Sequence, residues 1–168
     1  MAACNPVDKR PLAPYNRREG GDVVKSKRFW QIAVAVGIVL WTAFIWSQSL
    51  QSAEDSSADS GRIARLLMGL FGWDTQPQWL TYAIRKTAHF AEFAVLGVLW
   101  AAGQRTYGRR FLWLWGLPTG AVDECLQFFA PGRAPMATDV AIDAAGYLCG
   151  AALLLLLWRN RKEKETKL

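Results

Sequence analysis

Apolar residues are gathered into four long runs along the 168-residue chain. The runs cover residues 29–46, 79–102, 111–129 and 138–158, with a few polar interruptions. Each approaches the ~20 residues that a helix needs to cross the hydrocarbon core of a bilayer. Because residues 151–158 lack any polar side chain, the last run has no face to present to water. The pattern predicts an all-α fold, a four-helix transmembrane bundle.

The connection between the first two runs contains a shorter periodic segment. Within residues 62–71, Ile63, Leu66, Leu67 and Leu70 share one helical face, which predicts a short amphipathic helix. Tryptophans follow it closely, and such side chains anchor helices at the membrane–water interface. We therefore expect an interfacial helix in the first outer loop.

The net charge of +6 is concentrated at both ends of the chain and in one loop. Most Lys and Arg residues lie in 1–28, 103–110 and 159–168. Since basic loops stay in the cytoplasm, both termini are predicted to be cytoplasmic in a multi-pass protein of the inner membrane. The N-terminal segment lacks the early apolar region of a secretory signal. The predicted organisation is a disordered basic tail (1–28), a four-helix membrane domain (29–158) and a charged cytoplasmic tail (159–168).

Ionisable side chains interrupt the last three runs in three motifs. These are Arg85-Lys86-x-x-His89-x-x-Glu92, Asp123-Glu124-x-x-Gln127 and Asp139-x-x-x-Asp143. An unpaired ionisable group in a bilayer costs roughly 3 kcal/mol, so a shared polar site is the economical arrangement. At about 100° and 1.5 Å per residue, each motif lies on one helix face in the outer half of the membrane. The three faces are predicted to meet there, joined by Arg133 from the outer loop.

Several chemistries suit these residue types. Cations can hold a phosphate or carboxylate while neighbouring acids orient them; the anion-binding candidates are Arg85, Lys86 and Arg133. A buried imidazole with a carboxylate suits general acid–base catalysis; the catalytic candidates are His89, Glu92 and Glu124. A structural alternative is a polar network that only fixes helix packing. Proton-coupled transport is a further alternative, which would require an oligomer because four helices are few for a transporter.

A metal site is not expected from the sequence, because the chain has a single histidine. The three cysteines show no zinc-binding spacing. No cofactor is predicted either. The basic charge has no nucleic-acid-binding motif behind it, so no nucleic-acid partner is expected.

In order and spacing, the motifs resemble the VanZ-like family of membrane proteins. The family pattern has Lys-x-x-His-x-x-Glu-aromatic, then Asp-Glu-x-x-Gln, a Pro-Gly-Arg loop and Asp-x-x-x-Asn-x-x-Gly-x-x-x-Gly. The matching segments here are 86–93, 123–127, 131–133 and 139–150. Ser47 and Ser49 after the first run also fit, and the resemblance covers about residues 35–158.

Two positions depart from the family pattern. Phe93 stands where tyrosine is common, and Asp143 stands where asparagine is usual. The second departure adds a carboxylate that needs a further cation or a proton. The expected supporting polar network consists of Asp123, Gln127, Asp139, Asp143, Ser47 and Ser49.

The resemblance implies a polytopic bacterial membrane protein of the cell envelope, with a link to resistance against the glycopeptide teicoplanin. The leading hypothesis is a protein that binds or modulates an anionic or lipid-linked envelope component, such as a cell-wall precursor. Membrane lipids are expected partners, and a homo-oligomer stays open. The alternatives are a membrane-embedded hydrolase or transferase with His89 as base or nucleophile, and a structural or assembly protein.

Overall fold

The computed structural model describes residues 17–165, with side-chain surroundings for 26–160 except position 78, and this part contains helices and no strand. In chain order the elements are α1 Arg17–Ser49, α2 Ala53–Phe71, α3 Gln78–Tyr107, a 3-10 helix Leu112–Gly116, α4 Pro118–Gln127 and α5 Ala137–Glu165. The all-α prediction is confirmed for this part of the chain.

Two of the described helices are long and apolar enough to cross a membrane. The spans are Ser26–Ser49 in α1 and Ala137–Asn160 in α5. Only 6% and 28% of their most apolar stretches are buried, whereas the core helix of a soluble protein would be mostly covered. These helices indicate a membrane protein, while the four-span bundle and the orientation of its ends remain predictions.

The helices extend further into the charged flanks than the sequence pattern predicts. α1 begins at Arg17 rather than near residue 29, and α5 continues to Glu165 rather than ending near 158. The segment 159–165 is rich in Lys, Arg and Glu, which favour helix, and it contains no Gly or Pro to stop one. The expected tails otherwise lie outside the described residues.

The third apolar run does not form the continuous helix expected over residues 111–129. It divides into the 3-10 helix and α4, which meet at Pro118 in the first turn of α4. Proline lacks a backbone N–H and clashes with the preceding turn, so it starts a helix more readily than it continues one. With 10 residues, α4 is about 15 Å long, half the thickness of a bilayer core.

The amphipathic helix predicted over 62–71 is the second half of α2, and it turns its apolar face outward. Ser60 and Ala64 are buried, whereas Leu66 and Leu70 are 69% and 81% exposed. A helix on a soluble protein would bury its leucines instead. The outer face of α2 is thus left without protein cover.

Helices α3 and α5 pack closely because glycines stand at their contact. A Cβ atom at Gly146 would lie 3.0 Å from the carbonyl carbon of Phe90, and one at Gly150 would lie 2.7 Å from that of Ala94. These two glycines continue the helix face of Asp139 and Asp143, and their lack of a side chain allows the two backbones to approach. This contact sets the distance between the polar residues that α3 and α5 carry.

Candidate functional site

A cluster of buried polar side chains lies where α1, α3, α4 and α5 meet. Its fully or nearly buried members are Ser49, His89, Asp123, Glu124, Gln127, Asp139 and Asp143. Helix α1 contributes the serine, α3 the histidine, α4 the next three residues and α5 the last two. The structure thus brings together residues from all three sequence motifs.

At the centre, His89, Asp123 and Asp143 face one another. One potential ligand atom from each lies within 4.8 Å of the other two. Nδ1 of His89 and Oδ1 of Asp143 are 3.4 Å apart, without the geometry of a hydrogen bond. The exposed fraction of both aspartates is 0%. This arrangement places two buried carboxylates against a single imidazole.

One carboxylate oxygen of Asp123 is held by neutral donors. Ser49 Oγ donates to Asp123 Oδ2 at 2.7 Å, and Gln127 Nε2 makes a longer contact with the same oxygen at 3.4 Å. These donors fix the orientation of the carboxylate, while Oδ1 is buried and has no hydrogen-bond partner among the described residues.

Glu124 connects α4 to the segment before α5. Its Oε1 accepts a hydrogen bond from Gln127 Nε2 at 3.0 Å, and its Oε2 accepts one from the backbone N–H of Met136 at 2.8 Å. Both carboxylate oxygens are therefore occupied. This geometry suits a residue that holds the outer loop in place.

Lys86 and Asp139 form an ion pair between α3 and the first turn of α5. Their side chains are only 12% and 10% exposed. Thr138 Oγ1 donates to the same carboxylate at 3.2 Å, and Lys86 Nζ lies 5.0 Å from the centroid of the Tyr82 ring. One of the three predicted anion-binding cations is thus already neutralised by a protein carboxylate.

Arg85 and Arg133 form no ion pair with a carboxylate in the part of the chain that the structure describes. Arg85 Nη2 donates to Ser57 Oγ at 2.8 Å, but Nε of each arginine is buried without a partner among these residues. Burial lowers the pKa of Arg133, and the positive charge of Arg85 lowers it further, partly offset by the carboxylates of the polar cluster. An oxyanion between the two guanidinium groups would relieve this repulsion.

Two small cavities flank this arginine pair. Their volumes are about 120 and 180 Å³, and Arg85, His89 and Arg133 line both. Glu92 borders the smaller cavity and Lys86 the larger. The cavities hold room for a small anionic group rather than for a whole lipid.

The loop before α5 carries Arg133 and depends on a glycine. Gly132 has a φ angle of +74°, in the left-handed region. The backbone N–H of Arg133 donates to Ala130 O at 3.2 Å, and the N–H of Ala53 donates to Pro131 O at 3.0 Å. The loop is thereby tied to the start of α2, which positions Arg133 opposite Arg85.

We expect Gly132→Ala to lower the free energy of unfolding by about 1–2 kcal/mol, because L-residues are strained in the left-handed region. The added Cβ would also lie 3.2 Å from Ala53 Cβ. Gly69→Ala on α2 is the matched control, since no atom lies within 4 Å of its added Cβ. The control should be neutral or slightly stabilising. Thermal unfolding in detergent, followed by tryptophan fluorescence, compares the two variants; equal stabilities would contradict the strain argument.

Some of the predicted site residues lie at the margin of the buried polar cluster or outside it. Ser47 is exposed and its Oγ donates to Phe44 O of the same helix at 2.7 Å, so it lies outside the buried cluster. Glu92 is half-buried at the rim of the smaller cavity. Conversely, the sequence did not single out Ser57 as the partner of Arg85, because a serine-rich stretch carries no signal of which hydroxyl faces inward.

Comparison with known proteins assigns the chain to a family. A family model described as VanZ/LLP1 matches residues 34–158. No curated protein and no solved structure matches the chain. The matched region contains the whole buried polar cluster and the loop that carries Arg133. Since the match covers well over half of the sequence, the chain belongs to the VanZ/LLP1 family.

Proposed function

We propose that this protein is a multi-pass protein of the bacterial inner membrane whose outward-facing polar site binds or modulates an anionic component of the cell envelope. A lipid-linked cell-wall precursor is the kind of ligand that fits. The observation that carries the proposal is the pair of half-buried arginines, Arg85 and Arg133, which border both cavities and lack a carboxylate partner among the described residues.

The chemistry of the pair favours a phosphate or carboxylate group. Guanidinium groups match the planar, multi-oxygen edges of such anions and form charge-assisted hydrogen bonds with them. Lys86 is paired with Asp139, so its role is to shape the larger cavity while the two arginines contact the anion. The surrounding acids hold the elements that carry the arginines: Asp139 pairs with Lys86 of α3, and Glu124 binds the backbone of Met136 after the loop.

The setting supports a ligand with a lipid tail. The outward leucines of α2 and the exposed apolar faces of α1 and α5 would contact lipid. Positive charge near both ends of the chain favours cytoplasmic termini, which would place the arginine pair on the outer side. Membership of the VanZ/LLP1 family adds a general link to teicoplanin resistance, and teicoplanin acts on precursors at that side.

Native mass spectrometry of the gently purified full chain tests the proposal. We expect a phospholipid or another anionic lipid to remain bound in a one-to-one ratio, and added phosphatidic acid to compete with it. Arg133→Gln and Arg85→Gln should each weaken retention roughly 10- to 100-fold, because a hydrogen bond to a charged group contributes about 1.5–3 kcal/mol.

Arg65→Gln is the control, because Arg65 is an exposed cation on α2 and its loss changes the net charge equally. If Arg65→Gln weakens retention as much as Arg133→Gln, the binding is non-specific and the site is not the arginine pair. Conversion of the bound lipid, abolished by His89→Gln, would favour the hydrolase or transferase alternative. Retention unaffected by either arginine variant would leave the structural role as the better account.

A further inference from the structure

The three central residues of the cluster have a feature that anion binding does not use. Asp143 is fully buried, and neither of its carboxylate oxygens has a hydrogen-bond partner among the described residues. The same holds for Oδ1 of Asp123 and Nδ1 of His89. A buried polar atom without a partner is unfavourable by about 1–3 kcal/mol, and more when it is charged. The three residues that carry these four atoms are neighbours, since one ligand atom from each lies within 4.8 Å of the other two.

Among the described residues, no Lys or Arg forms an ion pair with Asp123 or Asp143. Lys86 is bound to Asp139, Arg85 donates to Ser57, and Arg133 is outside ion-pair distance of both aspartates. The imidazole of His89 carries at most one positive charge against two carboxylates. A cation from outside the chain would offset the excess negative charge and contact one ligand atom of each residue.

The spacing of the donor atoms fits a metal ion better than a hydrogen bond. Two ligands at about 2.0–2.1 Å from one tetrahedral ion lie about 3.4 Å apart. Nδ1 of His89 and Oδ1 of Asp143 are 3.4 Å apart, and one ligand atom from each of the three residues lies within 4.8 Å of the other two.

We propose that His89, Asp123 and Asp143 bind one divalent transition-metal ion. One imidazole nitrogen with two carboxylate oxygens suits ions such as Zn²⁺ and Mn²⁺. Ser49 and Gln127 hold the other oxygen of Asp123, in the way that outer groups commonly orient the ligands of a metal. The proposal does not depend on the anion site, although His89 borders both cavities beside the arginines.

Asp143 gives the proposed metal site of this chain a charged ligand that the family pattern usually lacks. The family pattern usually has asparagine at this position, which would supply a neutral oxygen in place of a charged one. Asp143→Asn therefore removes one ligand charge while keeping the shape that the fold accommodates elsewhere. It is the most informative variant for separating metal binding from folding.

The test uses the tag-free full chain in detergent, stripped with a chelator and titrated separately with Zn²⁺ and Mn²⁺. We expect one ion per chain by elemental analysis and a thermal unfolding temperature that rises with the concentration of the ion. Asp143→Asn and Asp123→Asn should each bind the ion at least about tenfold more weakly. Asp74→Asn is the control, because Asp74 is an exposed carboxylate between α2 and α3 and its loss changes the net charge equally; it should bind the ion like the parent protein.

A second measurement needs no variant. This measurement is electron paramagnetic resonance of the Mn²⁺ complex, which detects hyperfine coupling from an imidazole nitrogen. Because the chain contains one histidine, such a coupling identifies His89 as a ligand. One bound ion with this coupling, lost in Asp143→Asn, supports the proposal. It is overturned if the parent protein binds neither ion, if the bound Mn²⁺ lacks the nitrogen coupling, or if Asp143→Asn and Asp123→Asn bind as tightly as Asp74→Asn. An Asp143→Asn protein that does not fold leaves the parent's coupling and stoichiometry to decide.

Discussion

Gly150→Ala is expected to lower the free energy of unfolding by about 1–3 kcal/mol, the range found when a well-packed contact is overfilled. The added carbon would overlap the carbonyl group of Ala94 and lie 2.9 Å from its Cα. These are backbone atoms of a helix, so no side-chain rotation can relieve the overlap. Helix α5 has to move away from α3, and the polar residues of α5 have to move with it.

The same physical picture predicts how two such changes combine. A Cβ at Gly146 meets the carbonyl group of Phe90 one turn earlier on the same stripe. Once α5 has moved to admit one methyl group, the second meets less resistance. The double variant Gly146→Ala/Gly150→Ala should therefore cost less than the sum of the two single variants. Additive losses would show that each clash is relieved locally.

Gly37→Ala is the control for these variants. Its added Cβ would lie 3.7 Å from Leu99 Cδ2, an ordinary contact with a side chain. Replacing a helical glycine by alanine without a clash is stabilising by about 0.5–1 kcal/mol. Unfolding in detergent, followed through the nine tryptophans, should thus place Gly37→Ala at or above the parent protein and Gly150→Ala well below it. A Gly150→Ala protein as stable as Gly37→Ala would rule out the close helix contact.

The glycine contact also explains why so much of the site could be foreseen. Residues three, four and seven apart share a helix face, so the spacing from Asp143 to Gly146 and Gly150 already predicts a polar residue beside a close helix contact. The same arithmetic puts His89 on the polar face of α3 and Asp123 on that of α4. The helix face on which a residue lies depends only on its spacing from its neighbours, so it can be predicted from the sequence.

Which side chains pair with each other between helices is not a local property, and it could not be predicted from the sequence. Nothing in the spacing shows that Lys86 is neutralised by Asp139 while Arg133 has no carboxylate partner among the described residues. The partner of Arg85 is Ser57, in a part of α2 that the apolar pattern did not mark as helix. Apolar content alone likewise suggested one helix over 111–129, whereas Pro118 starts a separate short one. These outcomes depend on which elements meet in space.

Lys86→Met is expected to lower the free energy of unfolding by about 3–5 kcal/mol, because it leaves the carboxylate of Asp139 buried without its cation. The two side chains are only 12% and 10% exposed, so water in the adjoining cavity replaces the lost partner only in part. Arg62→Met is the control: its pair with Asp59 is 72% and 53% exposed, and its loss should cost less than about 1 kcal/mol. The free energies of unfolding of both variants are measured in detergent by tryptophan fluorescence, as for the glycine variants.

The double variant Lys86→Met/Asp139→Asn separates the ion pair from its surroundings. It contains no unpaired charge, so it should recover most of the stability that Lys86→Met loses. It also distinguishes two roles for Lys86 in the proposed anion site. If Lys86 only holds α5 against α3, the double variant retains the anionic lipid, because Arg85 and Arg133 are unchanged. A stable double variant that has lost the lipid would instead make Lys86 a direct contact, with Asp139 holding it in place until the anion arrives.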